Sequence, residues 1–152
     1  MKRAVFPGSF DPITVGHEAI INRALPLFDE IVLAIGVNSN KKYFFALEER
    51  MSILENCFKD QPKITITSYE GLTIEYCKTI GASHILRGLR TAADFDFERT
   101  IALMNKKMAP ELETVFLISE PEHSAISSTV VRDILKNGGD ISQFVPANFP
   151  IK

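Results

Sequence analysis

Short apolar runs alternate with longer amphipathic stretches from one end of the chain to the other. Ala4–Phe6, Ile31–Gly36, Ile64–Tyr69, His84–Leu86 and Val115–Ser119 are rich in β-branched and aromatic residues and read as strands. Strands separated by helical patterns predict a parallel sheet. Ile31-Val32-Leu33-Ala34-Ile35 is apolar without a break, as expected of a strand covered on both faces. Ile64-Thr65-Ile66-Thr67 alternates, which predicts an edge strand with one wetter face.

Helical periodicity fills the intervals. Ile20, Ala24 and Leu27 keep helical spacing, although Pro26 lacks an N–H and should end or kink that helix. Leu47, Met51 and Leu54 share one face of a second helix, with the charges of Glu48, Glu49 and Arg50 on the other. Thr91-Ala92-Ala93-Asp94 has the form of a capping box, and Phe97, Ile101, Met104 and Met108 follow as an apolar stripe expected to be core. Ser127 or Ser128 can cap a last helix carrying Val130, Val131, Ile134 and Leu135, which Gly138-Gly139 stops. The tail from Phe144 to Lys152, with Pro146 and Pro150, is expected to pack as an irregular strap. These elements predict one α/β domain over residues 1–152, Rossmann-like, with a five-stranded parallel sheet and helices on both faces.

Composition narrows the function. With 17 Lys+Arg against 19 Asp+Glu, the net charge of −2 provides no field for holding a nucleic acid through its phosphates. No apolar run is long enough to span a bilayer. Cys57 and Cys77 lie in apolar helical patterns without metal-ligand spacing and without an upstream signal sequence, so reduced thiols and a cytoplasmic location are expected.

The candidate chemistry begins where the first strand ends. Gly8-Ser9-Phe10-Asp11-Pro12-Ile13-Thr14-Val15-Gly16-His17 leads through a turn into a helix whose free N–H groups and dipole attract anions, and Gly16 keeps backbone open to a ligand. In an open α/β sheet, ligands sit beyond the carboxyl ends of the strands. The segments there are Pro7–His17, Val37–Tyr43, Glu70–Thr73, Arg87–Arg90 and Glu120–Thr129. They gather Ser9, His17, Lys41, Lys42, Arg87, Arg90, His123, Ser127, Ser128 and Thr129, a set of cations and hydroxyls suited to phosphates. Arg87 and Arg90 can alternatively pair with Asp94, Asp96 or Glu98, and His84 is expected to be a satisfied structural side chain. Walker-type, G-x-G-x-x-G, G-x-S-x-G and H-E-x-x-H patterns are absent, so a nucleotide site must be built on the turn before His17. Nucleotidyl transfer needs chiefly in-line positioning and stabilised phosphate charge, and His17, Lys41, Arg87 and Arg90 suit that role.

Thr14-Val15-Gly16-His17 resembles the T/H-x-G-H signature of the nucleotidylyltransferase superfamily. Leu47-Glu48-Glu49-Arg50, Ile85-Leu86-Arg87-Gly88-Leu89-Arg90, Ala93-Asp94-Phe95-Asp96-Phe97-Glu98, Met104-Asn105 and Ile126-Ser127-Ser128-Thr129 extend the likeness over nearly the whole chain. Together they resemble the bacterial branch that adenylylates 4′-phosphopantetheine, giving dephospho-coenzyme A and pyrophosphate in the penultimate step of coenzyme A biosynthesis. The resemblance implies ATP and 4′-phosphopantetheine as ligands, magnesium as cofactor, coenzyme A as a feedback ligand and a homohexamer built as a dimer of trimers.

Residue by residue, the resemblance makes His17, Lys41, Ser9 and Arg90 catalytic, with His17 stabilising phosphate charge in the transition state. ATP would be held by Ser9, Phe10, His17, Gly88, Leu89, Arg90, Glu98 and the loop His123, Ser124, Ala125, Ile126, Ser127, Ser128 and Thr129. Ser9, Lys41, Thr73 and Arg87 would hold the acceptor, and no protein side chain is expected to ligate metal. Two positions depart from the common pattern: Ser9 stands where many members have threonine, and His123 where many have tryptophan. A relative with another acceptor, or a nucleotide-binding regulatory module without turnover, would share these signatures.

Overall fold

The computed structural model describes residues 1–150, and Ile151 and Lys152 at the end of the expected strap lie outside the described residues. Strand β1 (Arg3–Gly8) leads to α1 (Val15–Ala24), β2 (Glu30–Gly36) to α2 (Leu47–Cys57), and β3 (Ile64–Tyr69) to α3 (Thr73–Thr79). Strand β4 (His84–Leu89) leads to α4 (Ala92–Met108), and β5 (Glu113–Ile118) to α5 (Ser128–Lys136). All strand pairs are parallel, in the order β3-β2-β1-β4-β5. The chain winds outward from β1 to β3, then returns to the other side of β1 for β4 and β5. That reversal places the crevice between the carboxyl ends of β1 and β4.

Strand alternation divides the core. Ala4, Phe6, Ile31, Leu33 and Ile35 pack on one side with Ile20, Leu54 and Val131 from α1, α2 and α5. Val5, Val32, Ala34 and Ile85 turn to the other side, against Ile74 and Cys77 of α3 and Ala109 and Leu112 after α4. β2 is buried along its interior as its unbroken apolar run requires, and β3 is an edge strand, with β5 at the opposite edge.

Several boundaries differ from the sequence reading. β1 runs on through Pro7 and Gly8, which pair in register with Ala34 and Ile35, while its pairing with β4 covers only Ala4 and Val5, so Pro7 falls beyond the β1–β4 ladder. β4 reaches Leu89, so Arg87 and Gly88 are strand residues, not loop residues. A side chain at Gly88 would stand 3.1 Å from Ile20, so glycine lets α1 lie close on β4. Pro26 acts as expected: α1 stops at Ala24 and a 3-10 turn, Leu25–Leu27, follows.

The stripe on α4 is not core. The helix has no buried residue, and Phe97, Ile101, Met104 and Met108 are exposed, Phe97 to 68%. Its half-buried positions are Asp94, Glu98, Ala102 and Asn105, so the helix meets the rest of the chain along a narrow polar seam. Periodicity marked the apolar stripe correctly but could not say that the chain itself leaves it uncovered. Arg50 is a second correction: on the predicted charged face of α2, it is nonetheless 3% exposed. The strap from Phe144 carries no regular structure through residue 150, and Val145 and Phe149 anchor it in the core. Cys57 and Cys77 are free thiols, and burial pushes them up to about 12 and about 11, so both stay protonated and unreactive at neutral pH.

Candidate active site

The turn after β1 is held from three sides. Phe10 adopts φ +47°, and the Asp11–Pro12 peptide is cis. The Asp11 carboxylate is 3% exposed and accepts the backbone N–H groups of Phe44 at 2.7 Å and Phe45 at 2.8 Å. From α2, Arg50 donates to the carbonyl of Ser9 at 2.9 Å and that of Phe45 at 3.1 Å, and its guanidinium lies 4.0 Å above the Tyr43 ring. From α5, Arg132 donates to the carbonyl of Asp11 and Ser128 Oγ to that of Pro12, both at 2.8 Å. The turn bearing Ser9, the loop bearing Lys41 and the start of α5 therefore form one hydrogen-bonded unit.

Helix α1 begins with a capping box. Thr14 Oγ1 accepts the N–H of His17 at 3.4 Å, and His17 Nδ1 accepts the N–H of Thr14 at 3.0 Å. An N–H can only donate, so Nδ1 must carry a lone pair and the ring proton sits on Nε2. Burial, with Arg87 and Arg90 nearby, lowers His17 from the ordinary 6.5 to about 4. At neutral pH the side chain is a neutral imidazole that presents Nε2–H as a donor.

The ends of β4 and α4 supply paired cations. Arg87 Nε reaches both carboxylate oxygens of Glu98, at 3.2 and 3.1 Å, while its Nη1 donates to the Pro7 carbonyl at 2.7 Å. Arg90 lies 3.7 Å from Asp94, whose carboxylate also accepts the backbone N–H of Arg90. The ion pairs considered from the sequence thus exist, and they orient the two arginines along the crevice without removing them from it.

At α5, Ser127 caps the helix by accepting the Val130 N–H at 3.3 Å. Thr129 Oγ1 accepts from Arg132 at 3.2 Å. The first-turn N–H groups leave the helix start suited to an anion.

Two clefts open on this frame. One, of about 530 Å³, is lined by Ser9, Phe10, His17, Gly88, Arg90, Glu98, Ile126, Ser127, Ser128 and Thr129, with Gly16 and Arg132 among the remainder. The other, of about 580 Å³, is lined by Ser9, Lys41, Tyr43, Tyr69, Thr73, Arg87 and Asn105. Pro7, Gly8, Ser9, Arg87, Phe97 and Glu98 line both, so the clefts meet at Ser9 and Arg87.

Most of the expected site residues line these clefts: Phe10, His17, Gly88, Arg90 and Ile126–Thr129 the first, Lys41 and Thr73 the second, and Ser9, Arg87 and Glu98 both. Leu89 is buried, and neither it nor His123, Ser124, Ala125 or Lys42 lines a cleft. His123 lies near Gly16, and its Nδ1 is buried without a hydrogen-bond partner among the described residues. His84 is satisfied, with Ser83 Oγ 2.7 Å from its Nδ1 and the Phe28 ring beside it. Asp11, Arg50, Tyr69, Asn105 and Arg132 were not singled out from sequence. Asp11, Arg50 and Asn105 lie inside the segments that carried the resemblance, whereas Arg132 and Tyr69 left no motif to find them by.

Fold and site together define a nucleotidyl-transferring α/β enzyme. In agreement, residues 5–134 match the cytidylyltransferase-like family. A crystal structure of a bifunctional NMN adenylyltransferase/ADP ribose pyrophosphatase from Francisella tularensis superposes with a TM-score of 0.77 at 18% identity, over 98% of this chain and 46% of that one, which shows the fold. Phosphopantetheine adenylyltransferase of Flavobacterium psychrophilum is 53% identical over 152 residues, covering 100% of both chains. That of Flavobacterium johnsoniae is 55% identical over 152 residues, 100% of this chain and 99% of its own. The chain belongs to the phosphopantetheine adenylyltransferase family of nucleotidyltransferases.

Proposed function

We propose that the protein transfers the adenylyl group of ATP to the phosphate of 4′-phosphopantetheine, forming dephospho-coenzyme A and pyrophosphate, the penultimate step of coenzyme A biosynthesis. The observation that supports this reading is the junction of the two clefts at Ser9 and Arg87, where an acceptor phosphate in one cleft and a nucleotide in the other would meet.

ATP occupies the cleft lined by His17, Arg90 and Ser127–Thr129, and the acceptor the cleft lined by Lys41, Thr73 and Arg87. An oxygen of the acceptor phosphate attacks the α-phosphorus; the bond to the bridging oxygen breaks, and pyrophosphate leaves with that electron pair. The nucleophile is already anionic at neutral pH, so no strong general base is required. Lys41 and Ser9 orient the attacking phosphate. Nε2–H of His17 donates to phosphate oxygen as charge grows, and the N–H groups opening α5 receive the β- and γ-phosphates. Leu89 and residues His123, Ser124 and Ala125 line neither cleft, so their ATP contacts rest on the resemblance alone.

Magnesium enters with ATP as the metal-nucleotide substrate. Glu98 and Asp94 are engaged by Arg87 and Arg90, and Asp11 by backbone N–H groups, which leaves phosphate oxygens as the ligands on offer. Coenzyme A carries the pantetheine arm of one substrate and the adenosine of the other, so it can enter both clefts and act as a feedback ligand. The exposed stripe of α4 supports self-association, and a hexamer made of two trimers would cover it. No described helix is long and apolar enough to cross a membrane, in keeping with a cytoplasmic enzyme.

The test is pyrophosphate release from MgATP with 4′-phosphopantetheine, run beside glycerol 3-phosphate and nicotinate mononucleotide. Release with phosphopantetheine alone, together with dephospho-coenzyme A, is the expected result. Release with another acceptor would overturn the substrate, and binding without release would leave a regulatory module.

A further inference from the structure

The acceptor cleft contains a hydroxyl pair that the phosphate chemistry does not use. Tyr69, the last residue of β3, has its Oη 2.8 Å from Oγ1 of Thr73, the first residue of α3, and both residues line the cleft. Three contacts hold the phenol in place. Its ring stacks on Tyr76 of α3 at 4.9 Å with the planes 20° apart. The phenol tip rests beside Gly36 at the end of β2, where a Cβ would meet Oη at an ordinary contact distance of 3.4 Å. The Tyr69 carbonyl accepts the N–H of Val37 at 2.8 Å, tying the residue to the loop that bears Lys41.

A hydroxyl pair of this kind has a definite capacity. One hydroxyl donates to the other, which leaves one proton and free lone pairs for a third group. Burial raises the Tyr69 phenol, so the proton is retained throughout the neutral range. The pair can thus both donate and accept toward one group, which suits a neutral partner with a donor and an acceptor of its own, such as an amide. Position agrees. Strand order puts β2 between the edge strand β3 and β1, so the pair lies roughly 10 Å across the sheet from Ser9, two strand spacings away. Along the cleft, the phosphate-binding residues and this pair mark the two ends of an acceptor longer than its phosphate.

Resting on the reading above, we infer that Tyr69 is a specificity-determining residue whose hydroxyl, paired with Thr73, binds the amide-bearing arm of the acceptor.

The experiment compares Tyr69→Phe, Thr73→Val and the double variant with the parent enzyme, by steady-state pyrophosphate release and by calorimetric titration with 4′-phosphopantetheine. Tyr69→Phe keeps the stacked ring and removes only the hydroxyl. KM and Kd for phosphopantetheine should rise about tenfold, the worth of one buried hydrogen bond, with KM for ATP unmoved and kcat changed much less. The double variant should cost little more than either single change, because one pair is lost in each case. Unchanged acceptor affinity in Tyr69→Phe would overturn the inference. So would parallel losses in kcat and both KM values accompanied by a lower Tm, which would mark a packing role. A parent enzyme inactive with phosphopantetheine would instead overturn the substrate assignment itself.

Discussion

Thr14 donates its backbone N–H to Nδ1 of His17 at 3.0 Å, and this one bond sets the tautomer of the imidazole that lines the cleft beside Ser127–Thr129. The capping box that starts α1 is thus also the device that leaves Nε2–H free to meet phosphate. In the proposed mechanism the residue that closes the cap is also the one that meets phosphate, because the helix start that needs a cap is also the place where an anion is best received.

His17→Ala should lower kcat by roughly 10²–10³ while changing KM for ATP only slightly, since the donor is assigned to charge that grows in the transition state. Steady-state pyrophosphate release measures both. A variant retaining near-parental turnover would remove His17 from the mechanism.

The depressed pKa of His17 predicts a pH signature. Between about 4 and the ordinary 6.5, the unfolded chain binds more protons at this site than the folded one. Stability therefore rises with pH through that window, is fully present above it and is lost on acidification. NMR titration of the ligand-free enzyme should show the His17 ring neutral, with Nε2 protonated, down to about pH 5. It follows that activity should not decline between pH 6 and 8 through loss of an imidazolium at this position; a titration midpoint near 6.5 would refute the assignment.

Asp11 and Arg50 join the Ser9 turn to the loop that carries Lys41. Asp11→Ala strands two backbone N–H groups, and Arg50→Met removes the donors to the Ser9 and Phe45 carbonyls. Each should cost about 2–4 kcal/mol of stability, seen as a lower urea midpoint. Arg50→Lys keeps a charge but not the fork, and should raise KM for the acceptor more than KM for ATP.

The apolar stripe of α4 predicts assembly. Leu103→Glu and Met104→Glu place charge on residues 53% and 56% exposed, neither of which lines a cleft. Size-exclusion chromatography with light scattering should show the particle mass falling toward that of the single 17.0 kDa chain, with the fold intact by circular dichroism. Unchanged mass in both variants would place the interface elsewhere.

Much of the molecule was legible in its sequence because local physics writes it there. The alternation of apolar runs, the capping box at Thr91, the break at Pro26 and a serine cap on the last helix, which falls at Ser127 of the two candidates, each follow from near neighbours. The convergence of the candidate cations and hydroxyls was legible too, since residues after the strands of a parallel sheet gather at one edge, where most of them line the two clefts.

What the sequence alone determined is which residues are apolar, the order and kind of the elements, and which chemistry gathers at the strand ends. Tertiary structure decided the rest. It carried β4 through to Leu89, so that Arg87 reaches Glu98 and Pro7 from within the sheet. It buried Arg50 on a face that reads as charged, and left the α4 stripe open on a face that reads as core. The reason is common to all three cases. Periodicity reports what a surface is made of, whereas burial and pairing depend on which distant segment the topology sets against it.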